Sequence, residues 1–292
     1  MNSEELAGVR GGTGILQQQA NCPFRAFASK RLYLEPLADY KAGLSAADSG
    51  RILHDALYAL WGELEDSEKL AASDQQTLSV LVASAVESAL DAVAEPLRQL
   101  VGMHCLDLER RRLHSLLQEW LQLERQRDAF KVIAREAPVS FRLGELELSM
   151  RVDRVDQLAD GSRLVIDYKS GRNSLSQWLG QRPAQPQLPL YGLAEDVSAL
   201  AFAEVRPRDG RFLGLGQVQG IKGVQSDIAK GVSRYSSCED WASLLAEWQQ
   251  NLARLAADFL AGEAAVDPLS TACNFCGLDP LGRVAIAGGA GA

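Results

Sequence analysis

No run of apolar residues in this sequence approaches the roughly 20 that a membrane-spanning helix needs. The first residues, MNSEELAGVRGG, lack the basic-then-apolar order of a secretory signal. A nucleotide-binding loop of the G-x-x-x-x-G-K-[ST] type is missing, and there are no internal repeats. Cysteine is sparse and odd in number: Cys22, Cys105, Cys238, Cys273 and Cys276. That excludes a disulfide framework, while the close pair in ACNFCG has the spacing used for metal ligation. Positive charge is not in excess. The formal net charge of −8 argues against a broad electrostatic nucleic-acid binder and leaves room for a narrow basic channel. The expectation is a soluble, cytoplasmic protein with no membrane partner.

What is present divides into a helical half and a strand half. Residues 1–44 read as an irregular lead with a short helix around CPFRAFASKRLYL. Ile52, Leu53, Ala56, Leu57, Leu60 and Trp61 then form an apolar stripe at helical spacing, with His54 beside it. Helices are predicted over 75–95 and 104–130, the second marked by Leu106, Leu113, Leu116, Leu117, Trp120 and Leu121. The period then shortens. APVSFRL, LELSMRVDRV, RLVIDYK, ALAFAEV and RFLGLGQV are strand-like, separated by turn signals such as LADGS and RPRDGR. PQLPLYGLAE predicts a crossing helix, and a long amphipathic helix runs from about Glu239 to Ala261. The tail VAIAGGAGA reads as disordered. The fold class expected is α+β: a central mixed sheet flanked by helices, with a helical insertion before it. The chain is read as one domain over 1–292, with a helical part at about 45–130, a sheet core at about 131–220, a C-terminal helix and cysteine segment at about 239–283, and the tail at 284–292. Arg110 to Arg112 and the group Lys222, Lys230 and Arg234 are local basic clusters, each equally readable as a solvated face.

The stretch with the most chemistry is LSMRVDRVDQLADGSRLVIDYKSG, Leu148 to Gly171. Strand alternation puts Leu164, Ile166 and Tyr168 on one face and Val165, Asp167 and Lys169 on the other, so the acid and the lysine point the same way about 6–7 Å apart. Register decides whether Asp153 joins them. A two-residue turn would pair it with Tyr168, on the wrong face. A three-residue loop, Asp160-Gly161-Ser162, would pair it with Lys169 and leave Asp167 diagonal, so the chemistry calls for an odd loop or a bulge. Clustered acids suit a divalent cation with oxygen ligands, Mg²⁺ or Mn²⁺. A neighbouring lysine can orient water or offset developing negative charge, which fits metal-assisted phosphodiester hydrolysis.

MRVDRVD…VIDYKSG resembles the motifs of the PD-(D/E)XK nuclease superfamily, in its RecB-like branch. GRILHDAL resembles the upstream histidine motif, with His54 matching, and QLPLY the downstream helix motif, with Gln187 and Tyr191. Cys22 in NCPFRAF, with Cys273 and Cys276, resembles the iron–sulfur staple of AddB-type nucleases and related CRISPR-associated exonucleases. The resemblance implies a restriction-endonuclease-like core and metal-dependent DNA cleavage, in the manner of an exonuclease of recombinational repair. It implies His54, Asp153, Asp167 and the Tyr168 carbonyl as metal ligands, Lys169 as the group positioning the attacking water, and Gln187 and Tyr191 as supports of the site or contacts to the DNA backbone. DNA is the implied partner, with a helicase subunit or a helicase-like region outside this chain. The rival reading is a non-cleaving DNA-end-binding or scaffold subunit. One position departs from the pattern: Gly282 stands where the family has the fourth cysteine of its 4Fe–4S cluster. A labile site, a three-cysteine site or none is therefore expected. Were the cluster retained, Gly282→Cys should deepen the brown colour of protein purified without oxygen and raise its melting temperature. An unchanged spectrum and melting temperature would remove Gly282 from consideration as the missing ligand.

Overall fold

The computed structural model describes residues 12–36, 43–269 and 276–278. Two short helices come first, α1 (Gly12–Asn21) and α2 (Pro23–Lys30). The first was not expected, because two glycines in GTGILQQQAN mask its buried pair Ile15 and Leu16. The helical insertion follows: α3 (Ala46–Leu64), α4 (Ser67–Ala72), α5 (Gln75–Asp91) and α6 (Glu95–Glu124). Ser45 and Asp48 start α3 with a reciprocal capping box, and Ile52, Leu53, Ala56, Leu57, Leu60 and Trp61 are all buried along it. Within α6, Gly102 takes φ 75 and kinks the helix, and the helix stops at Glu124, short of the expected 130.

Six strands make one mixed sheet in sequence order: β1 (Phe130–Leu143), β2 (Leu146–Leu158), β3 (Arg163–Lys169), β4 (Ala199–Glu204), β5 (Arg211–Gly216) and β6 (Val224–Gln225). β3 and β4 are parallel, joined by a crossover through α7 (Gln187–Ala194). After α8 (Ile228–Val232), the long α9 (Trp241–Ala261) is capped by Asp240. β1 begins seven residues before the expected APVSFRL. A bulge between Val132 and Ala134 breaks the alternation there, which hid the strand in the sequence.

Alternation sorts the sheet's two faces into two cores. Leu164, Ile166 and Tyr168 of β3 and Ala199, Ala201 and Ala203 of β4 meet the helical insertion. Val165, Leu200, Phe202 and Leu215 meet α1, α7 and α9 on the opposite side. The β1–β2 hairpin rolls from one layer to the other. Val152 and Met150 belong to the second core, whereas Arg154, on the same alternation, stacks on Trp61 and Phe130 of the first.

The β2–β3 connection corrects the expected turn. The loop is three residues long but is Ala159-Asp160-Gly161, with Leu158 N–H donating to Ser162 O (2.8 Å) and Gly161 at φ 85. Only glycine takes that conformation without strain, so the frame closes on Gly161 rather than Ser162. The pairing is Arg154 with Ile166 and Val155 with Val165. Continued by one step, it sets Asp153 opposite Asp167, not Lys169.

Beneath this hairpin lies a buried ionic lattice. Arg154, 1% exposed, donates to Asp156 (2.5 and 2.8 Å), Glu124 (2.8 Å) and the Tyr168 hydroxyl (3.1 Å). Arg127 completes it on Glu124 (2.6 Å) and Asp156 (2.8 Å). Two guanidinium groups match two carboxylates, so no net charge is buried. Breaking such a set leaves an unpaired buried charge. Arg154→Ala should therefore lower unfolding free energy by about 3–5 kcal/mol, measured by denaturant titration. A loss under about 1 kcal/mol would show that the lattice contributes little.

Candidate active site

The site forms where α3, β1, β2 and β3 converge. Asp153 lies on β2 at the point where the hairpin rolls over. Its Oδ2 accepts from the Tyr168 backbone N–H (2.8 Å) and lies 3.4 Å from His54 Nδ1. This side-chain contact takes the place of the next backbone ladder pair, since the β2–β3 pairing stops at Arg154 and Ile166. His54 arrives from α3, and its Nε2–H donates to the Tyr168 carbonyl (2.9 Å). A cleft lined by His54, Tyr58, Arg135, Glu136, Asp153 and Tyr168 opens beside them.

Asp167 is 2% exposed. Lys169 Nζ lies 2.6 Å from its Oδ2 as a close ion pair, without well-aligned hydrogen-bond geometry. Burial pushes the Asp167 carboxyl up to about 6; Lys169 opposes that shift and the charge of Asp153 adds to it. For His54, burial is the largest single effect and disfavours its charge. Contact with Asp153, with the charges of Asp153 and Asp167, outweighs it, and the imidazole is held above its usual value. With Nε2 donating to a carbonyl, a neutral ring would turn a lone pair toward the Asp153 carboxylate, and a second proton relieves that repulsion.

Gln187 and Tyr191 lie on one face of α7, Gln187 Nε2 donating to the Tyr191 hydroxyl (3.3 Å). That hydroxyl donates in turn to the Arg151 carbonyl, two residues before Asp153. Tyr191 is 1% exposed. The geometry thus makes this pair a brace on β2, and leaves Tyr191 no surface for a DNA backbone.

Glu136 of β1 escaped the sequence reading. His54, Glu136 and Asp153 bring ligand atoms within 4.8 Å of one another. Glu136 takes φ 45, an uncommon conformation for a residue with a side chain, of the kind stored at functional sites. The β1–β2 pairing skips it, leaving it across from Asp153. No spacing rule could have found it, because the preceding bulge sets its partner.

The donor set fits a hard divalent cation: carboxylates at the rim, an imidazole, a backbone carbonyl and the buried carboxylate of Asp167 beside Lys169. The cysteine staple is only partly within view. Cys22, buried, precedes α2, and Cys276 is buried against Ala28 and Phe24 of that helix. The chain's two end segments are also tied by Phe24 N–H to Ala265 O (3.0 Å) and Leu269 N–H to Asn21 O (2.8 Å). Cys273, Gly282 and the tail 284–292 lie outside the described residues. Cys105 and Cys238 are partly buried, and Cys238 donates to Glu247. The arginine run is neutralised locally, Arg110 by Glu87 and Asp107 and Arg112 by Glu109. No described helix is long and apolar enough to cross a membrane.

A mixed sheet between helical layers, with a histidine and clustered acids at the rim of its central hairpin, defines an α+β protein of the restriction-endonuclease-like class. The sequence profile of the PD-(D/E)XK nuclease superfamily matches residues 14–281, and the chain belongs to that superfamily. Its nucleases use divalent metals. No curated protein matches the sequence. Among solved structures, the chain is similar to one described as the crystal structure of SSO0001, at 12% identity and a TM-score of 0.32 over 92% of this chain and 94% of that one.

Both raised groups bind protons more readily in the folded than in the unfolded protein, so metal-free stability should fall as pH rises through their titration. For Asp167 the window runs from its ordinary 3.8 to about 6. Asp167→Asn should flatten the fall in melting temperature over that interval when metal is chelated. A pH profile identical to that of the unsubstituted protein would refute the buried, protonatable state assigned to Asp167.

Proposed function

We propose that this chain is a divalent-metal-dependent deoxyribonuclease acting as an exonuclease in recombinational DNA repair. The observation that carries the hydrolytic part is the convergence of His54, Asp153, Asp167 and Lys169 on one rim in a member of a nuclease superfamily. His54, Asp153, Asp167 and the Tyr168 carbonyl would hold Mg²⁺ or Mn²⁺, which supplies Lewis-acid stabilisation of phosphate charge and lowers the pKa of water. Lys169, half-buried, keeps its ammonium 2.6 Å from the Asp167 carboxylate. From there it orients water for attack on phosphorus and offsets the negative charge that develops on the phosphoryl oxygens. Tyr191 and Gln187 hold β2 so that Asp153 stays aimed at the cleft.

The exonuclease mode and a place in repair rest on the order of motifs resembling the RecB-like branch, as does a helicase partner. The proximity of the Cys22 and Cys276 segments supports a metal staple there.

Digestion of end-labelled linear and circular DNA tests the reading. Cleavage should require Mg²⁺ or Mn²⁺, stop with EDTA and spare the circle. Lys169→Ala should bind Mn²⁺ as before yet lose about 10²–10³ in rate, the usual loss for one preorganised electrostatic contact. DNA-end binding without metal-dependent cleavage would instead make the chain a scaffold subunit, and cleavage of the circle would make it an endonuclease.

A further inference from the structure

The bulge in β1 determines which side chain stands across from Asp153. From Phe130 to Val132 the strand pairs with β2 in one register, and from Ala134 onward the register is shifted by one. Without the extra residue Arg135, not Glu136, would face Asp153. A guanidinium in that place would neutralise Asp153 and repel a cation. The bulge delivers a carboxylate instead, and Glu136 holds φ 45 to present it.

Three observations bear on what that carboxylate does. Its ligand atom lies within 4.8 Å of those of His54 and Asp153, about the width of a shell whose ligands sit some 2.3–2.6 Å from the ion, so a slight contraction suits Mn²⁺ or Mg²⁺. Its ion pair with Arg151 is long, 3.5 Å, and Arg151 is exposed, so the pair leaves the carboxylate available. The adjoining Asp167 is buried, and its Oδ2, though 2.6 Å from Lys169 Nζ, makes no well-aligned hydrogen bond. Glu136, Asp153 and Asp167 bring three carboxylates to this rim against the ammonium of Lys169 and the exposed guanidinium of Arg151, an excess of negative charge that a cation offsets.

We propose that Glu136 is a direct ligand of the divalent cation, a carboxylate that the motif resemblance does not supply. This rests on the reading of the site as a cation site given above. The cation, by drawing Glu136, Asp153 and His54 together, locks the point where the β1–β2 hairpin rolls over.

Thermal melting titrated with Mn²⁺, without DNA, tests the inference on the full chain. The unsubstituted protein should melt at rising temperature as Mn²⁺ is added. Glu136→Gln should melt at the same or a higher temperature in EDTA, since one of three mutually repelling acids is neutralised. It should need at least about tenfold more Mn²⁺ for the same rise, the lower bound for losing even an outer-shell partner. Glu136→Gly accepts the positive φ without strain, so it keeps the fold and should show the same loss of Mn²⁺ response. Variants that respond to Mn²⁺ as the unsubstituted protein does would overturn the assignment, and a lower melting temperature in EDTA alongside that unchanged response would make Glu136 a structural partner of Arg151. If the unsubstituted protein itself ignores Mn²⁺, the cation-site reading falls, and this inference falls with it.

Discussion

The pairing of Arg154 with Glu124 and Asp156 is the constraint on which the rest of this structure depends. It joins the last turn of α6 to the middle of the sheet, and reaches the Tyr168 hydroxyl from below. A buried guanidinium tolerates little freedom, because any displacement leaves a charge without its partner. Trp61 and Phe130 close over it, so the charged lattice is also walled by apolar surface. Asp153 and Tyr168, whose backbone and carboxylate face the cleft, are covalent neighbours of this fixed region. Their positions are set from behind.

The four residues Asp153-Arg154-Val155-Asp156 show how strand alternation divides labour over a few ångströms. Asp153 faces the cleft and Val155 the second core, while Arg154 and Asp156 belong to the lattice. One acid is matched by two guanidinium groups and is inert. The other shares a rim with His54, Glu136 and Asp167 and has no such match. Identical carboxylates thus serve stability or chemistry according to the surroundings each one reaches, and a one-residue slip in the hairpin would turn each to the other face.

Much of this was legible in the sequence. The helical stripe over α3, the strands β2 to β5, the crossover helix α7 and the long α9 follow from periodicity and turn residues. The superfamily was readable in the order of its motifs, since MRVDRVD, VIDYKSG, GRILHDAL and QLPLY each carry side chains whose spacing the chemistry constrains. What escaped depends on pairings that spacing does not encode. The bulge after Val132 is silent in FKVIARE, so neither the true start of β1 nor the arrival of Glu136 could be derived. The turn was placed one residue late because both Gly161 and Ser162 fit a three-residue loop, and only the pairing of Leu158 with Ser162 separates them. The partners of Arg154 lie up to 30 residues away, beyond the reach of any local pattern.

The meeting of the two end segments has a consequence for how the chain is made. α1 buries Ile15 and Leu16 in the layer that α9 completes, and Asn21 and Phe24 are bonded to Leu269 and Ala265. During synthesis the residues of α1 leave the ribosome long before those of α9. The insertion and the first face of the sheet can consolidate in the meantime, since their contacts lie earlier in the chain. The apolar side of α1 and the opposite face of the sheet stay uncovered until α9 emerges. The second layer of the sheet can therefore close only once α9 has been made, and until then its apolar surface is exposed to wrong contacts.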